Sequence, residues 1–138
     1  MPGELEGKTI LLVDDDRDIL AAMTAALSDM GPRILTAING NDALTEAGKH
    51  KPDLVVLDMM LPGRSGFLVM EKLKRGKKRS DPPRVIMITG NQGARHKIYA
   101  ESLGVDAYLN KPFRMERLLE SVKKILTGGS RTDGQDKA

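Results

Sequence analysis

The chain has no cysteine and no tryptophan, and its aromatic side chains are limited to two tyrosines and two phenylalanines. Without cysteine there is no disulfide framework, no thiol nucleophile and no zinc–thiolate site. The two histidines, His50 and His96, lie far apart in sequence with no ligand-like spacing, and both read as surface residues. Long apolar runs are missing as well. ILLV and LVVL fall far short of the roughly 20 residues that cross a bilayer. The opening MPGELEGK lacks the apolar stretch of a signal peptide. A cytoplasmic protein with no membrane contact is expected. No apolar run leads into G-x-G-x-x-G, so a dinucleotide fold has little support. GNQGARHK lacks the Gly-Lys-Ser/Thr ending of a phosphate loop.

Neither sign of charge dominates. The net charge is +3, and the basicity is local: KLKRGKKRSDPPR, residues 72–84, holds seven Lys or Arg against one Asp. The remainder then carries 15 bases and 18 acids, a balance of −3. A short basic run without interleaved aromatics reads as a solvated helix end and loop before it reads as a nucleic-acid or partner patch. No direct nucleic-acid binding is expected.

What is present is a rhythm. TILLV, RILTAI, DLVVLD, RVIMIT and AYLN recur about every 25 residues, aliphatic on both faces like strands covered on both sides. Between them lie helical stripes. Ile19, Met23, Ala26, Leu27 and Met30 form the first, with Gly31 as its C-cap. Ala43, Leu44 and Ala47 form a short second, ended by Gly48. Phe67, Met70 and Leu73 mark a third, and Met115, Leu118, Leu119, Val122, Ile125 and Leu126 a fifth. The fourth, about Ala94 to Leu103, has a thin apolar stripe. Five alternations predict an α/β fold: a doubly wound, five-stranded parallel sheet, flavodoxin-like (βα)5. The expected domains are 1–7 as an N-terminal extension, 8–127 as the folded unit, and 128–138 as a flexible polar tail.

Such sheets bind ligands beyond the carboxyl ends of their strands, where strand order reverses. Here those ends carry polar side chains: Asp14 and Asp15 after the first, Asp58 at the third, Thr89 at the fourth and Lys111 after the fifth. In strand order 2-1-3-4-5 the three carboxylates share one pocket, with Thr89 and Lys111 converging on it. At about 4 Å and an effective dielectric of about 20, each like-charged pair costs roughly 4 kcal/mol, so positive charge must sit among them. Asp16, one residue further on, reads as the N-cap of the first helix.

The acidic pair in LLVDDD, the aspartate in DLVVLDMMLPGRSG, the Thr-Gly of VIMITG and AYLNKPF, in this order, resemble the receiver domain of two-component response regulators over residues 8 to about 126. The resemblance implies a phospho-acceptor at Asp58. It implies Mg²⁺, with Mn²⁺ as an alternative, held by Asp14, Asp15, Asp58 and the Met60 backbone carbonyl. Lys111 and Thr89 would contact phosphoryl oxygens. Pro112 would form a cis peptide with Lys111, Pro62 and Gly66 would shape the loop after the acceptor, and Thr89 and Tyr108 would switch together. Met60 and Asn91 would border the path of hydrolytic water, with slow autodephosphorylation. The implied partners are a histidine kinase or phosphotransfer protein, and a downstream protein meeting helix 4, strand 5 and helix 5, near Arg95, Tyr99, Arg114 and Arg117. Ala107 replaces the acid of a dimerisation ladder used in one branch of the family, so a mostly monomeric protein is expected.

Two other classes compete. A Mg²⁺-dependent phosphohydrolase would want D-x-D at its nucleophile and a substrate cap; Asp58 is followed by Met59 and Met60. A phosphorylation-independent binding module would not need the full set of acidic pair, acceptor, threonine and lysine. The reading is thus a signalling phospho-acceptor rather than a turnover enzyme. The polar tail leaves a single-domain regulator or the receiver of a longer protein, and the former is the expectation.

Overall fold

The computed structural model describes residues 3–62, 65–90 and 94–128. The elements alternate as expected: β1 (Thr9–Val13), α1 (Arg17–Ser28), β2 (Arg33–Ala37), α2 (Gly40–His50), β3 (Leu54–Asp58), α3 (Gly66–Lys74), β4 (Arg84–Thr89), α4 (Ala94–Ser102), β5 (Ala107–Asn110) and α5 (Met115–Thr127). The five strands form one parallel sheet in the order β2-β1-β3-β4-β5.

Successive strand residues point to opposite faces, and the core divides accordingly. Ile10, Leu12, Leu54, Val56, Ile86 and Ile88 pack with Met23 and Leu27 of α1 and Leu118 and Val122 of α5. Leu11, Val13, Val55, Leu57, Val85 and Met87 pack under Ala43 of α2, Val69 and Met70 of α3 and Ala100 of α4. Burial on both faces holds for β1, β3 and β4. At the sheet edges it does not: β2 exposes Arg33 and Thr36, and β5 exposes Asn110. An edge strand has only one sheet neighbour, and the helices do not fully cover it.

Helix ends correct the sequence reading twice. α2 runs through Gly48 to His50, and its C-cap is Lys51 in the left-handed region at φ 48°. Pro52 supplies the stop, since proline crowds the residue before it out of helical geometry. α1 ends earlier than expected, with Asp29 as C-cap; Gly31, at φ +86°, turns the chain two residues later. There it lies against Gly3, with room for little more than hydrogen at its α-carbon. Asp16 does cap α1, accepting hydrogen bonds from the Asp18 and Ile19 amides.

Residues 3–7 are turns docked on the core. Leu5 is fully buried in the α1/α5 layer, and its amide donates to the Met30 carbonyl at 2.9 Å. Residues 129–138 of the expected tail, Asn91, and the side chains of Arg95 and His96 lie outside the described residues. His50 is half-buried between Arg33 and Glu46.

Candidate functional site

β1 and β3 run side by side, so their carboxyl ends bring Asp14 and Asp58 together at the strand-order reversal. Asp14 is fully buried and Asp58 is 3% exposed, whereas Asp15 faces solvent at the rim. One carboxylate oxygen from each lies within 4.8 Å of the others. Local backbone aims the two buried acids. Asp14 Oδ1 accepts from the Asp16 amide at 2.9 Å, and Asp58 Oδ1 accepts from the Met60 amide at 3.1 Å.

Lys111, on the segment after β5, reaches across both. Its Nζ lies 3.1 Å from Asp14 Oδ2 and 3.3 Å from Asp58 Oδ2. The contact with Asp58 is a hydrogen bond. The contact with Asp14 is close enough for an ion pair but poorly aligned, and Asp14 Oδ2 is left without a hydrogen bond of good geometry. The Lys111 amide donates to the Thr89 carbonyl at 2.7 Å, which ties the lysine to the end of β4, and the Lys111–Pro112 bond is cis. Thr89 is fully buried.

The electrostatics follow from this packing. Burial pushes the Asp58 carboxyl up to about 6; the Met60 amide opposes the shift, Asp14 adds to it, and Lys111 counters it. Burial works against the Lys111 ammonium, but Asp14 and Asp58 outweigh it, and its pKa rises. One ammonium is too little compensation for three carboxylates. An under-bonded buried oxygen beside two further carboxylates suits a hard divalent cation, which takes oxygen ligands.

Gly66, first residue of α3, closes the site from behind. A methyl group on its α-carbon would lie 2.6 Å from the Asp58 carbonyl oxygen and 2.6 Å from the Met59 α-carbon. Met60 is exposed at the mouth. Tyr108 of β5 is half-buried. Burial raises its phenol, and nearby Thr89 partly reverses the shift. The Tyr108 hydroxyl is buried without a well-formed hydrogen bond.

Asp14, Asp15, Asp58 and Lys111 thus converge as the sequence predicted. Thr89 ends β4, Tyr108 lies further back on the adjoining β5, opposite Met87, and Asn91 is outside the described residues. Sequence reasoning missed the bracing of α4. Tyr99 stacks edge-on against Phe67 of α3, with ring centres 4.9 Å apart, and its hydroxyl lies 3.4 Å from Glu71. The only signal was the spacing of two scarce aromatics, and nothing local pairs them.

The response regulator receiver domain family matches residues 10–123. The phosphate regulon transcriptional regulatory protein PhoB of Pseudomonas aeruginosa is 39% identical over 120 residues, covering 87% of this chain and 52% of PhoB. The chain therefore spans about half of that relative's length. Protein PilH of the same organism is 34% identical over 119 residues, covering 86% of this chain and 98% of PilH. Among solved structures, a CheY-like response regulator receiver domain protein from Methanospirillum hungatei superposes with a TM-score of 0.76 at 31% identity, covering 88% of this chain and 94% of the other. The chain belongs to the response regulator receiver domain family, the phospho-acceptor class of two-component signalling. No described helix is long and apolar enough to cross a membrane.

Proposed function

We propose that Asp58 is the residue that takes the phosphoryl group. The observation that carries this is the buried Asp58 carboxylate, held by the Met60 amide and Lys111 among two further carboxylates. The donor is a phosphohistidine on a kinase or phosphotransfer protein. An Asp58 oxygen attacks phosphorus, the P–N bond breaks, and the imidazole leaves with the bonding pair, giving an acyl phosphate. Hydrolysis reverses the state: water attacks phosphorus, the P–O bond breaks and the carboxylate is restored. Lys111 neutralises charge on the phosphoryl oxygens, and Thr89 donates its hydroxyl to one of them.

Asp14, Asp15, Asp58 and the Met60 carbonyl would hold Mg²⁺, with Mn²⁺ as a substitute; when bound, the ion supplies charge neutralisation that one lysine cannot. The domain signals rather than turning over a substrate. Movement of Thr89 draws Tyr108 with it and alters the face made by α4, β5 and α5, where a downstream protein docks. The protein works in the cytoplasm, and residues 8–127 are its functional unit.

The test is intact-mass labelling with acetyl phosphate and Mg²⁺. One phosphoryl group should be gained, and Asp58→Asn should gain none. Full labelling of the Asn variant would overturn the assignment.

A further inference from the structure

At the end of the sheet opposite the carboxylates, a groove of about 490 Å³ opens between α2 and α3. Leu44 and Ala47 of α2 and Leu73 of α3 form its apolar floor, with Pro82 and Pro83 as a wall. Lys51, Lys72 and Lys77 stand exposed around it. The acid in its lining, Asp53, is turned inward, accepting from the Thr9 amide at 2.8 Å.

The basic run that borders the groove has a division of labour. Lys74 is buried, and its ammonium donates to the carbonyls of Arg79 (3.1 Å), Asp81 (2.6 Å) and Pro83 (3.1 Å). Three carbonyls saturate its three N–H bonds and fix the loop from α3 to β4. Arg84 and Arg79 pair with Asp106. The carboxylate of Asp81 is used by the Lys78 amide. Lys72, Arg75, Lys77 and Lys78 remain exposed and make no ion pair among the described residues. Lysines in a last helical turn complement the helix dipole, which accounts for Lys72. It extends to Arg75, the C-cap, but not to Lys77 and Lys78, which lie beyond the end of α3. Because Lys74 already fixes the loop backbone, a partner meeting these cations has only their side chains left to order.

We infer that this groove is a second protein-docking surface, whose occupant is an acidic segment of a partner that places aliphatic side chains on the Leu44–Ala47–Leu73 floor and carboxylates against Lys51, Lys72 and Lys77. The apolar floor favours such a segment over nucleic acid, whose backbone offers charge and no aliphatic groups. The surface is independent of the acceptor. Asp53 and Asp58 bracket β3 and so lie about 16 Å apart along the strand.

The test is a ¹⁵N–¹H titration of the full chain with a short amphipathic peptide of Glu and Leu. Shifts confined to residues 44–53 and 72–83, weakened about tenfold by Lys72→Glu with Lys77→Glu but not by Lys8→Glu with Lys124→Glu, are expected. They should persist in Asp58→Asn. Absence of shifts in the groove overturns the inference. So does equal binding of a peptide with Ser for Leu, which would reduce the surface to bare charge. Tighter binding of a mixed-sequence DNA duplex through the same residues would instead make it a nucleic-acid surface.

Discussion

Asp58 combines two conflicting demands at one residue. As the proposed acceptor it must be ionised to act as a nucleophile, yet its burial favours the protonated form. With a carboxyl raised from 3.8 to about 6, the folded protein binds the proton more tightly than the unfolded chain does. That contribution to stability is complete below about pH 4 and is lost as pH rises through about 6. In the metal-free protein, Asp58→Asn should therefore raise stability above pH 6 by on the order of 1–3 kcal/mol, with little gain at pH 4. Urea unfolding at the two pH values measures the difference. Added Mg²⁺ should stabilise the wild type and leave the Asn variant nearly unmoved. A second prediction at this scale concerns Gly66. Its α-carbon faces backbone atoms that cannot swing aside, so Gly66→Ala must displace the Asp58–Met59 backbone. Labelling by acetyl phosphate should slow severalfold, and stability should fall by about 1–3 kcal/mol. Why were the site residues legible at all? Each ends or follows an apolar run, which places it at the carboxyl edge of the sheet, where such folds put their sites. Lys74 was not legible, because a string of lysines does not reveal which one curls inward to carbonyls.

Among the elements, α4 is held least firmly. Of its described side chains only Ala100 is buried, while Ile98 is 65% and Tyr99 44% exposed. Its thin stripe was evident in sequence, and the structure adds the Phe67 and Glu71 contacts that pin Tyr99. Segments with few buried contacts open most readily. Amide exchange should be faster in α4 than in α1, and beryllofluoride should slow it by changing the α4–β5–α5 face. Tyr108→Ala should keep labelling while abolishing that change. Element type could be read from apolar periodicity, which is what buries a strand or helix. Boundaries could not: Gly48 permits a stop, but Pro52 enforces one. The edge strands β2 and β5 carried the same aliphatic signature as the central ones, because composition does not record how many neighbours a strand has.

For the whole molecule, light scattering of the beryllofluoride-treated protein should report a monomer at micromolar concentration, since Ala107 offers no charge to a ladder of acids and bases. Its architecture was predictable because five strand–helix alternations call for a doubly wound parallel sheet, and the motifs it shares with receiver domains fix the strand order. The N-terminal turns were less so, since Leu5 is a single apolar residue in a polar stretch. Its burial means that the family's match, which starts at residue 10, and this molecule's hydrophobic interior do not share a boundary. Leu5→Ala should cost about 2 kcal/mol or more in thermal or urea unfolding and leave labelling at Asp58 intact. The turns therefore act as a plug, and their removal would uncork an oily seam beside Met30. Anyone fusing a tag, a fluorophore or a second protein ahead of β1 should leave that plug in place and attach upstream of it.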